Sequence, residues 1–136
     1  MNDIIDHKIT IIHHHLARIR EVFHLAKNRL DTDLTSQDSI IFNLQRACQA
    51  SVDIANHFNK TFFSKFSKDY RDSFEALHKS GLISAQLALS LQELIGFSCL
   101  AVQEHQAFNL HIVKHLVEHH LGNIEEFIHT IKGLEN

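Results

Sequence analysis

Apolar residues recur through the first thirty positions at alternating intervals of four and three: Ile5, Ile9, Ile12, Leu16, Ile19, Phe23 and Ala26. This is the repeat of one buried helical face. It predicts a first helix from about Asp3 to Arg29, broken by Asp31-Thr32-Asp33. A second helix is expected from near Thr35, where Thr35 and Asp38 stand three apart as in a loose capping box. Ile41, Leu44, Cys48, Val52, Ala55 and Phe58 would line its inner face as far as about Asn59. The period then fades, and residues 60–67 read as a linker.

A short third helix is predicted over Tyr70–Lys79, with Phe74 and Leu77 turned inward and Gly81 suited to the left-handed residue that ends a helix. Ser84 is a good N-cap for a fourth helix running to about Gln106. Asn109 would cap a fifth, Leu110 to Ile131, whose stripe is Val113, Leu116 or Val117, Leu121, Ile124, Phe127 and Ile131. Gly122 would sit inside that helix, at a cost of about 1 kcal/mol relative to Ala. The fourth helix is apolar nearly all round, from Leu87, Ala88, Leu89 and Leu91 to Leu100, Ala101 and Val102. A helix of that kind is buried on every side, and a small bundle hides only one. A second copy of the chain is therefore expected against it.

Composition sharpens this picture. The chain has no Pro and four Gly in 136 residues, too little turn chemistry for a sheet protein. The expected fold is all-α: one domain, residues 1–136, an antiparallel bundle of four to five helices, homodimeric. The net charge of −3 excludes a broad basic field for nucleic acid, although thirteen His residues would turn the surface positive on mild acidification. Cys48 and Cys99 lie on apolar backgrounds and read as reduced, buried thiols. The N-terminus carries Asp3, Asp6, His7 and Lys8 and no apolar h-region. No apolar run nears the roughly 20 residues of a membrane span. A cytoplasmic protein without membrane contact is expected.

Three stretches carry a family likeness: Ser39 to His57, Tyr70 to Ser84, and Gly96-Phe97 opening a segment that ends at Asn109. Together with Leu16-Ala17-Arg18-Ile19-Arg20-Glu21, and in this order over nearly the whole chain, they resemble the HepT family of HEPN proteins. The resemblance implies a helical-bundle homodimer, often a toxin paired with a nucleotidyltransferase antitoxin called MntA. It also implies metal-independent RNA cleavage by an Arg, four to six residues, His motif. The fuller pattern is Gly-Phe-Arg-Asn, three residues, His, one residue, Tyr, the tyrosine being the antitoxin's adenylylation target. An imidazole can move protons as the 2′-hydroxyl attacks its phosphate, and a guanidinium can hold that phosphate.

Laid on that pattern, this chain has Ser98 for the arginine, Cys99 for the asparagine, Gln103 for the histidine and His105 for the tyrosine. Serine has no charge for a phosphate, and glutamine does not titrate. His105 lies seven residues after Ser98, on the same helical face, but would still lack the arginine. The looser spacing also matches Arg18 with His24 and Arg71 with His78, as expected by chance among so many histidines.

The histidines offer one rival site. His111, His115 and His119 repeat every four residues, a spacing that can converge on zinc or nickel, with His120 beside them. His13-His14-His15 point about 100° apart along a helix and cannot jointly chelate one ion. No Cys-x-x-Cys or His-Glu-x-x-His motif accompanies them, so no cofactor is expected. Three readings follow. The first is a HepT-like binding module that has lost its nuclease chemistry and contacts an MntA-type nucleotidyltransferase. The second is an active metal-independent endoribonuclease toxin whose partner is RNA. The third is a His-rich metal-responsive protein.

Overall fold

The computed structural model of the chain describes residues 3–103 and 110–134. The first helix, α1 (Asp3–Ala26), buries Ile5, Ile9, Ile12, Leu16, Ile19, Val22 and Ala26, and passes into a 3-10 turn at Lys27–Arg29. Val22, not Phe23, takes the buried place in the last turns. Phe23 is half-buried and still packs against the core beside it.

The second helix, α2 (Leu34–Phe63), starts one residue earlier than the pattern predicts and ends four later. Its cap is Asp33, not the Thr35–Asp38 pair. The Asp33 carboxylate accepts from the Ser36 backbone N–H at 3.1 Å and from the Ser36 hydroxyl at 2.8 Å. Those bonds favour the charged form and hold the carboxyl below its usual range. Ser64, in the left-handed region at φ 52°, ends the helix, so the first half of the expected linker is helical. The helix buries a broad face because it meets α1 and the later helices. Ile40 and Ile54 are fully buried, whereas Ile41 and Val52 are half-buried. The polar Gln37, Asn43, Ser51 and Asn59 go inside with them. Lys8 bonds Asp53, and farther along α1 but earlier along α2 His15 bonds Asn43. The two helices therefore run antiparallel.

Next, α3 (Tyr70–Lys79) occupies the predicted span, capped by Asp69, which accepts from the Asp72 N–H at 3.0 Å. Gly81 adopts φ 87° after it, a conformation costly for any residue with a Cβ. Ser84 caps α4 (Ala85–Gln103) as expected, its hydroxyl accepting from the Leu87 N–H at 3.0 Å. The predicted end at Gln106, and the Asn109 cap, lie outside the described residues.

The expected fifth helix is two, α5 (Leu110–His119) and α6 (Leu121–Gly133). His120 leaves helical geometry at φ −120°, ψ −12°, and its ring meets the Asn123 amide at 3.2 Å. That side-chain contact at a helix start competes with continuation of the ladder. Gly122 consequently lies in the first turn of α6, exposed, rather than mid-helix. Leu116 and Val117 are both buried.

The core gathers under α2 and α4. Phe74 of α3 and Phe127 of α6 meet edge to face, with ring centroids 5.6 Å apart. On the outside, Arg20 of α1 grips Glu125 of α6 through two bonds, 2.6 and 3.2 Å. The Arg20 hydrogen bond lowers the Glu125 pKa. A depressed carboxylate contributes stability above its unfolded pKa, and loses it as pH falls through the folded one. Both side chains are nearly half exposed, so the pair contributes about 0.2–1 kcal/mol. Glu125→Gln is expected to lower stability by no more than that at neutral pH, with the difference lost as the pH falls through the depressed pKa of the folded state. Urea unfolding at neutral and at low pH measures this; a persistent difference at low pH would assign the effect to packing. Among the described residues, no helix is long and apolar enough to cross a membrane.

Candidate functional site

The four positions singled out by the family likeness begin on α4. Gly96 faces the first turn of α3. A Cβ there would stand 3.1 Å from the Tyr70 hydroxyl and 3.7 Å from the Arg71 guanidinium, so a side chain at position 96 would displace the Tyr70 hydroxyl by a few tenths of an ångström. Phe97 is 42% exposed.

Ser98 turns inward. Its hydroxyl donates to the Leu94 carbonyl at 2.7 Å and accepts from the Cys48 thiol of α2 at 3.6 Å. Burial pushes the Cys48 thiol up to about 12, the Ser98 contact opposing it only in part. Cys99, expected to be buried, is exposed. It lies one step around the helix from Ser98, on the side where α4 leaves a groove of about 310 Å3 facing α2. Gln45, Cys48, Gln49, Tyr70, Ser98 and Cys99 line that groove. Gln103 is the last described residue of α4, and His105 lies outside the described residues.

The loosely spaced Arg–His pairs do not form sites. Arg18 pairs with Glu21 at 2.9 Å. Arg71 lies against Tyr70, its guanidinium carbon 5.4 Å from the ring centroid. Spacing along the chain did not reveal that Tyr70 and Arg71 reach the Gly96 segment of α4. The only available signal was that the chain's single tyrosine adjoins an arginine at the start of a predicted helix.

The histidines of α5 lie close together. The ring centroids of His115 and His119 are 5.0 Å apart, and those of His115 and His120 are 4.8 Å apart. Burial, then the nearby His115, lowers the His120 pKa. His111 and His115 border a shallow groove of about 320 Å3 with Phe97, Ile112 and Leu116. Among the described residues, no group of three or more His, Cys, Asp or Glu is arranged to hold a metal ion. In the other cluster, His15 bonds Asn43 of α2 at 2.7 Å, while His13 acts on Glu125 of α6. Those two rings therefore serve different neighbours.

Comparison with known proteins agrees with this architecture. Residues 12–131 match the Ribonuclease HepT-like family. The mRNA nuclease HepT of Shewanella oneidensis is 42% identical over 133 residues, spanning 98% of this chain and 99% of its own. The tri-AMPylated Shewanella oneidensis HEPN toxin, solved in complex with MNT antitoxin, matches with a TM-score of 0.91 at 42% identity, covering 98% of this chain and 99% of that one. A crystal structure of a toxin–antitoxin with AMP-PNP also matches at 0.91 and 42%, covering 96% and 99%. The chain belongs to the HepT-like HEPN toxin family, with the all-α fold of its solved members.

Proposed function

We propose that this chain is a HepT-like component of a toxin–antitoxin pair that works as a homodimer by binding an MntA-type nucleotidyltransferase, without cutting RNA. The observation that carries the reading is the placement of Ser98. The residue aligned with the family's arginine is 3% exposed, and its hydroxyl is engaged by α4 itself and by Cys48. It presents neither a charge nor a free donor to the groove. Exposed Leu89 and Phe97 on α4 support a partner copy, since large apolar side chains on one helix favour burial by association. The relatives solved with MNT or MntA antitoxin support the nucleotidyltransferase as the other partner.

The test is cleavage of labelled RNA in EDTA by the purified protein and by a Ser98→Arg, Gln103→His double variant. The wild type is expected to leave RNA intact. The adjoining groove gives an arginine at position 98 room to extend toward Cys99, so the double variant should fold and cut. One catalytic proton-transfer group contributes on the order of 10²–10⁴-fold in rate, which sets the scale of the gain. Metal-independent cleavage by the wild type would refute the proposed loss of activity. Co-expression with an MntA-type protein and size-exclusion chromatography test the partner.

A further inference from the structure

We propose that the joint between α5 and α6 is an acid-sensitive hinge, held closed by His115, His119 and His120 while they are neutral and loosened when they are protonated. The inference is independent of RNA cleavage and of any partner.

The joint gathers three imidazoles at a break in the backbone. His120 stands between the two helices, outside helical geometry at φ −120°, as the N-cap of α6. The His115 ring centroid is 5.0 Å from that of His119 and 4.8 Å from that of His120. Neutral rings pack at that distance, whereas imidazolium rings repel. His120 also has a duty at the start of α6. Its Nδ1 meets the Asn123 amide nitrogen at 3.2 Å. That nitrogen only donates, so Nδ1 accepts, and it accepts only while it carries no proton. Protonation at Nδ1 ends this bond. It also sets a positive charge at the N-terminal end of α6, the end of a helix that disfavours one. His119 closes α5, where a positive charge is favoured, and Glu118 lies 4.0 Å from its Nε2. The α5 side therefore accepts a proton readily, and the repulsion falls on His120.

The charges that act on His120 are His115 and His119 of α5 and Glu93 of α4. His111 lies one turn before His115 on α5. On α6, Glu125 is taken by Arg20 of α1, the other helix packed against α5. Burial first, and then His115, keep the His120 ring neutral against the pull of Glu93. A histidine held neutral in the closed joint takes up its proton more readily in an opened one. Acid therefore favours opening from the ordinary imidazole range downward, until the closed form is charged as well.

The motion has a place to act. Leu121, Ile124, Phe127, Ile128 and Ile131 keep α6 buried, so the last turn of α5 is the part free to move. His115 and Leu116 also wall the groove beside Phe97, and loosening the joint changes the shape of that groove.

Hydrogen exchange of the whole protein, followed by mass spectrometry in EDTA at constant ionic strength, tests the hinge near pH 7.5 and near pH 5.5. Protection factors remove the intrinsic pH dependence of exchange. Protection over residues 116–127 is expected to fall about fivefold in acid, the scale of one like-charge contact near 5 Å in a solvent-like dielectric. Protection over residues 40–55 of α2 should hold. His120→Asn keeps a good N-cap without a titrating ring and should abolish the acid loss. Glu93→Gln removes the opposing charge and should enlarge the loss about twofold. His7→Gln, exposed near the start of α1, should leave it unchanged.

Equal protection at the two pH values would overturn the proposal, as would an undiminished loss in His120→Asn. A matching loss over residues 40–55 would show global acid unfolding instead of a hinge. If His120→Asn does not fold, His115→Gln decides: it removes the ring that neighbours both others, and an acid loss as large as the wild type's would sink the idea.

Discussion

Phe127→Ala is expected to destabilise the protein by about 3–5 kcal/mol, a large part of the ~5–15 kcal/mol that holds a domain folded. Phe127 is fully buried in α6 and meets the equally buried Phe74 of α3 edge to face. Truncation loses the transfer energy of the ring, leaves a cavity and removes an aromatic pair contributing about 0.5–1.5 kcal/mol of the total. Urea unfolding measures the effect, with Phe66→Ala as the contrast. Phe66 is 83% exposed, and its loss should stay within about 0.5 kcal/mol. If the two variants shift the midpoint equally, α6 does not dock on α3 as described.

The second large effect is chemical. In the native protein, an aromatic disulfide reagent should titrate one thiol quickly, Cys99, and leave Cys48 silent until urea is added. The thiolate is the nucleophile, and burial holds the Cys48 thiol protonated by pushing its pKa far above the ordinary range. Burial blocks the reagent as well. Cys99→Ser should remove the fast phase entirely. Two fast thiols in the folded protein would show that the contact between α2 and α4 at Ser98 opens freely.

The helices were largely legible because one-sided burial leaves a period. The span Tyr70–Lys79 and the Ser84 cap emerge as read. Elsewhere a stronger local contact prevailed. Asp33 is a better acceptor than Thr35 and sits one residue before the helix, so it sets the start of α2. The stripe from Val113 to Ile131 continues smoothly through His120, and only the bond to Asn123 marks the interruption. Cys99 was misread because α4 is apolar nearly all round, so the period could not say which of Ser98 and Cys99 faces inward. The candidate site was legible only as positions in a likeness. Its geometry, with Tyr70 and Arg71 over Gly96, depends on how α3 crosses α4, and spacing along one helix does not encode a crossing.

The pairing of α1 with α2 has a consequence for how the protein is made. The first 63 residues contain both long helices and the short turn between them. Each already offers the other an apolar stripe, as Ile12, Leu16 and Ile19 do for Ile40, Leu44 and Ala47. Contacts so close along the chain form early at little entropic cost. On the ribosome, this hairpin can be complete while α3 to α6 are still being synthesised, and the C-terminal helices then dock onto an existing surface. Emergence order and assembly order therefore coincide.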